Sequence, residues 1–173
     1  RWYSLPNLFR YEKPQRGRLR EHWQLNVDIF GVSDFMAEVE IISVAFDIMK
    51  KFGAKDEDFK IKINSRPLFD DVFKKIGIDE DKRQFVYRLI DKKEKMTDDD
   101  FRSAMIVLVG EKNAGELLEH FYYGEGLFSM MSESEAAKRL GKTVQTLRKK
   151  GINNLVFDPT ITRGFDYYTG VVF

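Results

Sequence analysis

Arginines cluster at two places far apart in this chain, each time among aromatic and carboxamide or carboxylate side chains. Near the start the sequence reads Phe9-Arg-Tyr-Glu12, then Gln15-Arg-Gly-Arg-Leu-Arg20; near the end it reads Arg163-Gly-Phe-Asp-Tyr-Tyr-Thr-Gly170. A guanidinium is permanently charged, and its planar fork matches the oxygens of a carboxylate or phosphate two at a time. Arginines mixed with such neighbours suit the task of holding a nucleotide anion beside a small polar substrate. Gln24 and Asp28 add polar groups between them. The plainer reading of the first cluster is a basic hairpin loop with solvated arginines, or a loop contacting nucleic acid. That of the second is an aromatic core strand, although an Arg and an Asp inside so apolar a run need partners.

The elements that must position these residues follow from periodicity. Trp2 to Tyr11 is apolar-rich and broken by Pro6, and Lys13 to Arg20 is a polar, basic loop containing Pro14 and Gly17. Gln24 to Phe30 alternates: Leu25, Val27 and Ile29 face one way, while Gln24, Asn26 and Asp28 face the other. Two strands joined by this loop make an antiparallel pair. On such a strand Gln24 and Asp28 stand ~13 Å apart at Cα, at about 3.3 Å per residue, and can bracket a small polar ligand.

Ser33 or Asp34 can cap a helix whose stripe is Phe35, Val39, Ile42, Phe46 and Met49, ending at Gly53. Phe59 to Asn64 reads as a strand, and Leu68 to Ile76 as a helix stopped by Gly77. From Asp79 to Met131 the pattern is helical, with breaks near Thr97, Gly110, Gly124 and Gly126. Asp98-Asp-Asp100 reads as a helix-capping run, and Met130-Met131 as packing. Ser132 and Glu135 have capping-box spacing for a helix through Lys150, closed by Gly151. Leu155-Val-Phe157 and Phe165 to Phe173 read as strands. The expected class is α+β, a strand-rich core interrupted by a helical insertion.

Composition sets limits. The chain has 173 residues, 43% hydrophobic and 33% charged, enough for one substantial core. A net charge of +1 leaves nucleic-acid binding to local basic patches. Cysteine is absent, which excludes disulfides, thiolate catalysis and Cys-based zinc sites within this sequence; two histidines cannot form a metal cluster on their own. Met105 to Val109 is far shorter than the ~20 residues of a membrane span, and no signal peptide is visible, so a cytoplasmic setting without membrane partners is expected. Arg1 opens inside an apparent strand and Phe173 closes inside another, so both ends are expected to be internal to a longer protein.

Taken together, these signatures resemble the histidyl-tRNA synthetases, a family of class II aminoacyl-tRNA synthetases. The stretch around Arg10, Glu12, Arg18, Gln24 and Asp28 is similar to their motif 2, and Arg163 to Gly170 matches the signature particular to the histidine enzymes. The resemblance implies the antiparallel sheet of the class II core, with residues 1–78 carrying motif 2, 79–131 a helical insertion domain, and 132–173 the return to the core. It implies catalytic roles at the ATP α-phosphate for Arg10 and Arg163, an adenine contact for Glu12 and a γ-phosphate contact for Arg18. His22 stands where the family usually has a Phe that stacks on adenine. Histidine is implied to be bound by Arg10, Gln24, Asp28, Arg163, Tyr167 and Tyr168, with Asp28 shorter by one methylene than the Glu many members carry.

The partners so implied are L-histidine, ATP with Mg2+, tRNA(His), and a second copy in a homodimer of the parent protein. Leu89 to Met96 resembles part of the insertion thought to embrace the tRNA acceptor arm, and Ile63 to Arg66 also resembles the family. Motif 1 and its dimer interface would precede Arg1. Motif 3 and an anticodon-binding domain would follow Phe173, so the isolated chain is expected to charge little or no tRNA. Two other readings share the resemblance: the synthetase-like regulatory subunit of ATP phosphoribosyltransferase, and the tRNA-sensing domain of a stress kinase. The intact Arg10, Glu12, Arg18 and Arg163 set argues for retained ATP chemistry.

Overall fold

Pro6 shapes the first element. The computed structural model describes residues 1–11, 13, 15–123, 131–162 and 168–173. Trp2–Ser4 (β1) and Asn7–Phe9 (β2) run outward, and Glu21–Trp23 (β3) and Asn26–Asp28 (β4) return antiparallel to them. Proline has no N–H to give a ladder, so strand pairing lapses at Leu5 and Pro6 and opposite them at Gln24 and Leu25. There the Gln24 N–H donates to the Pro6 carbonyl at 3.1 Å. The register survives the gap: Ser4 faces Asn26 on one side, Asn7 faces Trp23 on the other, and the Arg10 N–H still reaches the Arg20 carbonyl at 2.8 Å. With no residue inserted, side-chain alternation carries through. Arg10, His22, Gln24, Asn26 and Asp28 therefore share one face. The strand expected from Gln24 to Phe30 is thus two short strands that begin earlier, at Glu21.

Helix α1 (Met36–Lys51) starts where the Asp34 carboxylate accepts the Met36 N–H at 2.8 Å, buries Val39 and Ile42, and stops before Gly53, whose φ of +92° suits glycine. Arg1 and Glu40 form an ion pair that ties the start of the hairpin to α1.

Strand β5 (Ile61–Ser65) lies between β6 (Leu155–Phe157) and β7 (Val171–Val172). Here the expectation of an antiparallel core sheet needs correction. β5 and β7 are antiparallel, but β5 and β6 are parallel, because a long helical crossover separates them and brings the chain back in the same direction. Among the described residues, the strands form these small sheets rather than one continuous sheet. The strand expected from Phe165 to Phe173 is also shorter. Residues 163–167 lie outside the described residues, and Tyr168 to Gly170 precede β7, the carbonyls of Tyr168 and Gly170 taken up by Arg66.

Helix α2 (Arg66–Ile76) begins two residues before the expected Leu68, since Pro67 fits the first helical turn, where its missing N–H costs nothing. Helices α3 (Glu80–Asp91), α4 (Asp98–Val109) and α5 (Glu111–Tyr123) follow, with breaks at Thr97 and Gly110 as the sequence suggested. Thr97 caps α4 by accepting the Asp100 N–H at 3.1 Å, and the acidic run fills that first turn. Helix α6 (Glu135–Lys149) is capped by Ser134, not by Ser132. The Ser134 hydroxyl accepts the Ala137 N–H and donates to Asp71 of α2 at 2.6 Å, so the cap also joins two helices.

The core runs from α1 through β5 into the helices. Phe69 and Phe73 of α2, Tyr87 of α3, Phe101 of α4 and Phe121 of α5 form one aromatic cluster, with Phe73 and Tyr87 ring centroids 5.1 Å apart. Each ring so buried is worth about 1.5–3 kcal/mol from area alone. The molecule is a mixed α/β fold, rich in helix with small sheets.

Candidate functional site

The shared face of the hairpin carries a row of hydrogen-bonded polar side chains. The Arg10 guanidinium donates through Nη2 to Gln24 Oε1 at 3.0 Å; Gln24 Nε2 donates to Asn26 Oδ1 at 2.6 Å; Asn26 Nδ2 donates to Ser4 Oγ at 3.3 Å. Each donor is directed by the acceptor before it, so the row has a single polarity starting from a cation. A neutral amide fixes the guanidinium without cancelling its charge. Among the described residues no carboxylate is paired with Arg10.

His22 sits one pair along, opposite Leu8 and half-buried, where an imidazole can stack on a flat ring. Arg18 lies at the exposed loop tip beside Gly17, whose φ of +81° makes the turn. Arg20 approaches the Tyr11 ring at 5.8 Å. Asp28 stands at the end of the row, exposed and opposite Trp2. The desolvation that would make its carboxylate discriminating must therefore come from a ligand and from whatever covers it. Asn26, which the resemblance gave no role, is a link in the row. Its place in the Gln24-Asn26-Asp28 alternation was the signal for that.

Tyr168 is placed differently. It lines a cavity of about 970 Å3 together with Val27, Ile41, Ala45, Met49 and Phe59. Val27 points to the opposite face of the hairpin from Gln24 and Asp28, and neither of those lines the cavity. The structure thus joins Arg10, Gln24 and Asn26 and carries Asp28 and His22 on the same face, while Tyr168 meets the hairpin from the Val27 side. Glu12, Arg163 and Tyr167 lie outside the described residues.

The segment leading to Arg163 is anchored at Asp158. Its carboxylate takes Lys62 of β5 at 2.8 Å and accepts from the Thr160 N–H and hydroxyl, and its backbone N–H donates to Ile63. Partial burial pushes the Asp158 carboxyl up, but the bonds from Lys62 and Thr160 outweigh it and hold it below the ordinary value of 3.8. A depressed carboxyl contributes stability above its unfolded pKa, and that contribution is lost as pH falls through the folded one. Asp158→Asn is therefore expected to lower stability at neutral pH and to flatten the acid limb below about pH 4, as read by urea midpoints across pH. An unchanged acid limb would remove Asp158 from the pH response.

Among the described residues no three His, Asp or Glu side chains converge as a metal site. Nor, among the described residues, is any helix long and apolar enough to cross a membrane.

Comparison with known proteins gives a consistent answer. The family description "Histidyl-tRNA synthetase" matches residues 1–173. The chain is 36% identical to the histidine–tRNA ligase of Leptospira biflexa and 37% identical to that of Thermoplasma volcanium, covering all of this chain and 41% and 42% of those proteins. It is 33% identical to the chloroplastic/mitochondrial histidine–tRNA ligase of Arabidopsis thaliana, covering 37% of it. The crystal structure of histidyl-tRNA synthetase from Nostoc sp. PCC 7120 superposes with a TM-score of 0.74 at 21% identity, over 98% of this chain and 42% of that one, a likeness of fold. The chain spans about two fifths of the length of these relatives.

Proposed function

The chain belongs to the histidyl-tRNA synthetase family, and we propose that it supplies part of the catalytic unit of a longer histidine–tRNA ligase. The reaction joins the histidine carboxylate to the α-phosphate of ATP, releasing pyrophosphate, and then passes the histidyl group to tRNA(His). The observation that carries this reading is the row Arg10–Gln24–Asn26, in which a cation paired with no described carboxylate heads a line of amides. A carboxylate attacking a polyphosphate must overcome the repulsion of two anions. Fixed guanidinium groups offset that repulsion and follow the charge into the transition state.

In this reading Arg10 and Arg163 hold the α-phosphate and the substrate carboxylate, and Arg18 reaches the γ-phosphate. Glu12 and His22 meet the adenine. Gln24, Asp28 and Tyr167 receive the histidine, and Tyr168 backs the hairpin from the Val27 side. Residues 1–78 and 132–173 make up the core, and 79–131 the insertion that approaches tRNA. Mg2+ accompanying ATP would offset phosphate charge; among the described residues no three His, Asp or Glu side chains converge to hold it. We place the full-length protein in the cytoplasm as a homodimer.

Histidine-dependent exchange of pyrophosphate into ATP tests the reading. A full-length protein carrying this segment should catalyse exchange with histidine and not with other amino acids. The 173-residue chain alone should charge little or no tRNA. Absence of histidine-dependent exchange in the full-length protein would overturn the ligase assignment.

A further inference from the structure

The end of β5 is polar where a core strand should be apolar. Asn64 is fully buried and Ser65 nearly so, between Ile63 and the packed Leu68 and Phe69 of α2. A buried amide is tolerated only when its donors and acceptor are met, and those of Asn64 are met at one place. Its Nδ2 donates to the carbonyls of Ile161 at 2.8 Å and Pro159 at 3.3 Å, while its Oδ1 accepts the Ser65 N–H at 2.8 Å. Two residues on, Arg66 reaches the same segment from the other side of the signature. Its guanidinium donates to the Tyr168 carbonyl at 3.0 Å, and its backbone N–H donates to the Gly170 carbonyl at 3.1 Å.

Arg66 is itself held in place. Its guanidinium lies over the Tyr87 ring at 5.7 Å and beside Asp70 at 3.9 Å, and the Tyr87 hydroxyl donates to Asp70 at 2.8 Å. Burial, reinforced by Asp70, raises the Tyr87 pKa, so the hydroxyl stays a donor. The Tyr87 carbonyl in turn accepts the Thr162 hydroxyl at 3.2 Å. Neighbouring positions at one strand end thus grip the backbone before residue 163 and after residue 167.

We propose that Asn64 and Arg66 are positioning residues: they grip the backbone before residue 163 and after residue 167, and so set how Tyr168 backs the strand whose other face, with Gln24 and Asp28, meets the amino-acid substrate. They touch carbonyls of the segment, so their effect reaches the substrate through Tyr168 and the strand it backs at Val27. The substrate part of this claim rests on the ligase reading; the grip itself does not.

The test uses Arg66→Gln, Arg66→Lys and Asn64→Asp in the full-length protein. Asn64→Asp replaces two donors with acceptors facing carbonyls, and the Arg66 variants keep the matter decidable if it does not fold. Amide hydrogen exchange at residues 168–172 should quicken about tenfold in Arg66→Gln, the effect of losing a charge-assisted hydrogen bond, with α1 and α4 unchanged. In pyrophosphate exchange the KM for histidine should rise about tenfold while that for ATP stays within about twofold. Arg66→Lys, which keeps one charged donor, should recover part of the loss.

Wild-type amide exchange together with wild-type histidine KM would overturn the proposal. So would equal losses for both substrates without recovery by Lys, since that is what general destabilisation gives. If the unaltered protein showed no histidine-dependent exchange, the ligase reading would fail, and hydrogen exchange at 168–172 alone would decide whether the grip exists.

Discussion

Arg163→Ala is expected to lower histidine-dependent ATP–pyrophosphate exchange by ~100-fold or more in the proposed full-length ligase, the scale on which losing one fixed electrostatic donor acts. Arg163 stands six residues before Thr169 in a signature matched by the family, and its role comes from that resemblance. The flanking geometry supports it indirectly. Asp158 and Thr160 fix the turn before it, and Asn64 holds the carbonyls of Pro159 and Ile161. A guanidinium whose charge is aimed at a pentavalent phosphorus works mainly in the transition state. The loss should therefore fall on kcat, with histidine and ATP KM changed little. Arg163→Lys should recover only a part, since a single ammonium cannot fork across two oxygens. Exchange at the unaltered rate in Arg163→Ala would remove this residue from the reaction.

The hairpin was the most legible part of the sequence, and the reason is physical. Its polar residues alternate with period two, its loop is marked by Pro14 and Gly17, and its two strands are close in sequence, so local pattern decides the pairing. Pattern could not show that Pro6 would split each strand while leaving the register intact, because that depends on cross-strand bonding.

Helix α1 was legible from its apolar stripe, and α4 and α6 from helical pattern, capping residues and the glycines that end them. Which serine caps α6 was not, because Ser134 is chosen over Ser132 by its bond to Asp71, a partner 63 residues away in sequence. The parallel pairing of β5 with β6 was illegible for the same reason: nothing in either strand records which neighbour the crossover delivers. Asn64 and Arg66 looked like an ordinary strand end. Only the carbonyls they meet, nearly a hundred residues later, give them a task.

Arg10→Ala should be as damaging as Arg163→Ala, and it separates two effects that the hairpin combines. Arg10 supplies charge, and it also fixes the amide of Gln24, which in turn fixes Asn26. Removing the guanidinium leaves Gln24 Oε1 free to turn, so the amide that should meet the substrate loses its orientation together with its cation. The expected result is a fall of ~100-fold or more in kcat/KM for exchange, here with a raised histidine KM as well as a lowered kcat. Gln24→Ala should raise the histidine KM with a smaller loss of kcat, since Arg10 keeps its charge. The double variant should then be no worse than Arg10→Ala by the full Gln24 effect, because contacting residues in one hydrogen-bonded row do not add. Measured KM and kcat for the two single variants and the double decide the matter. Strict additivity would mean that the row Arg10–Gln24–Asn26 is not a working unit, and the charge of Arg10 would have to act alone.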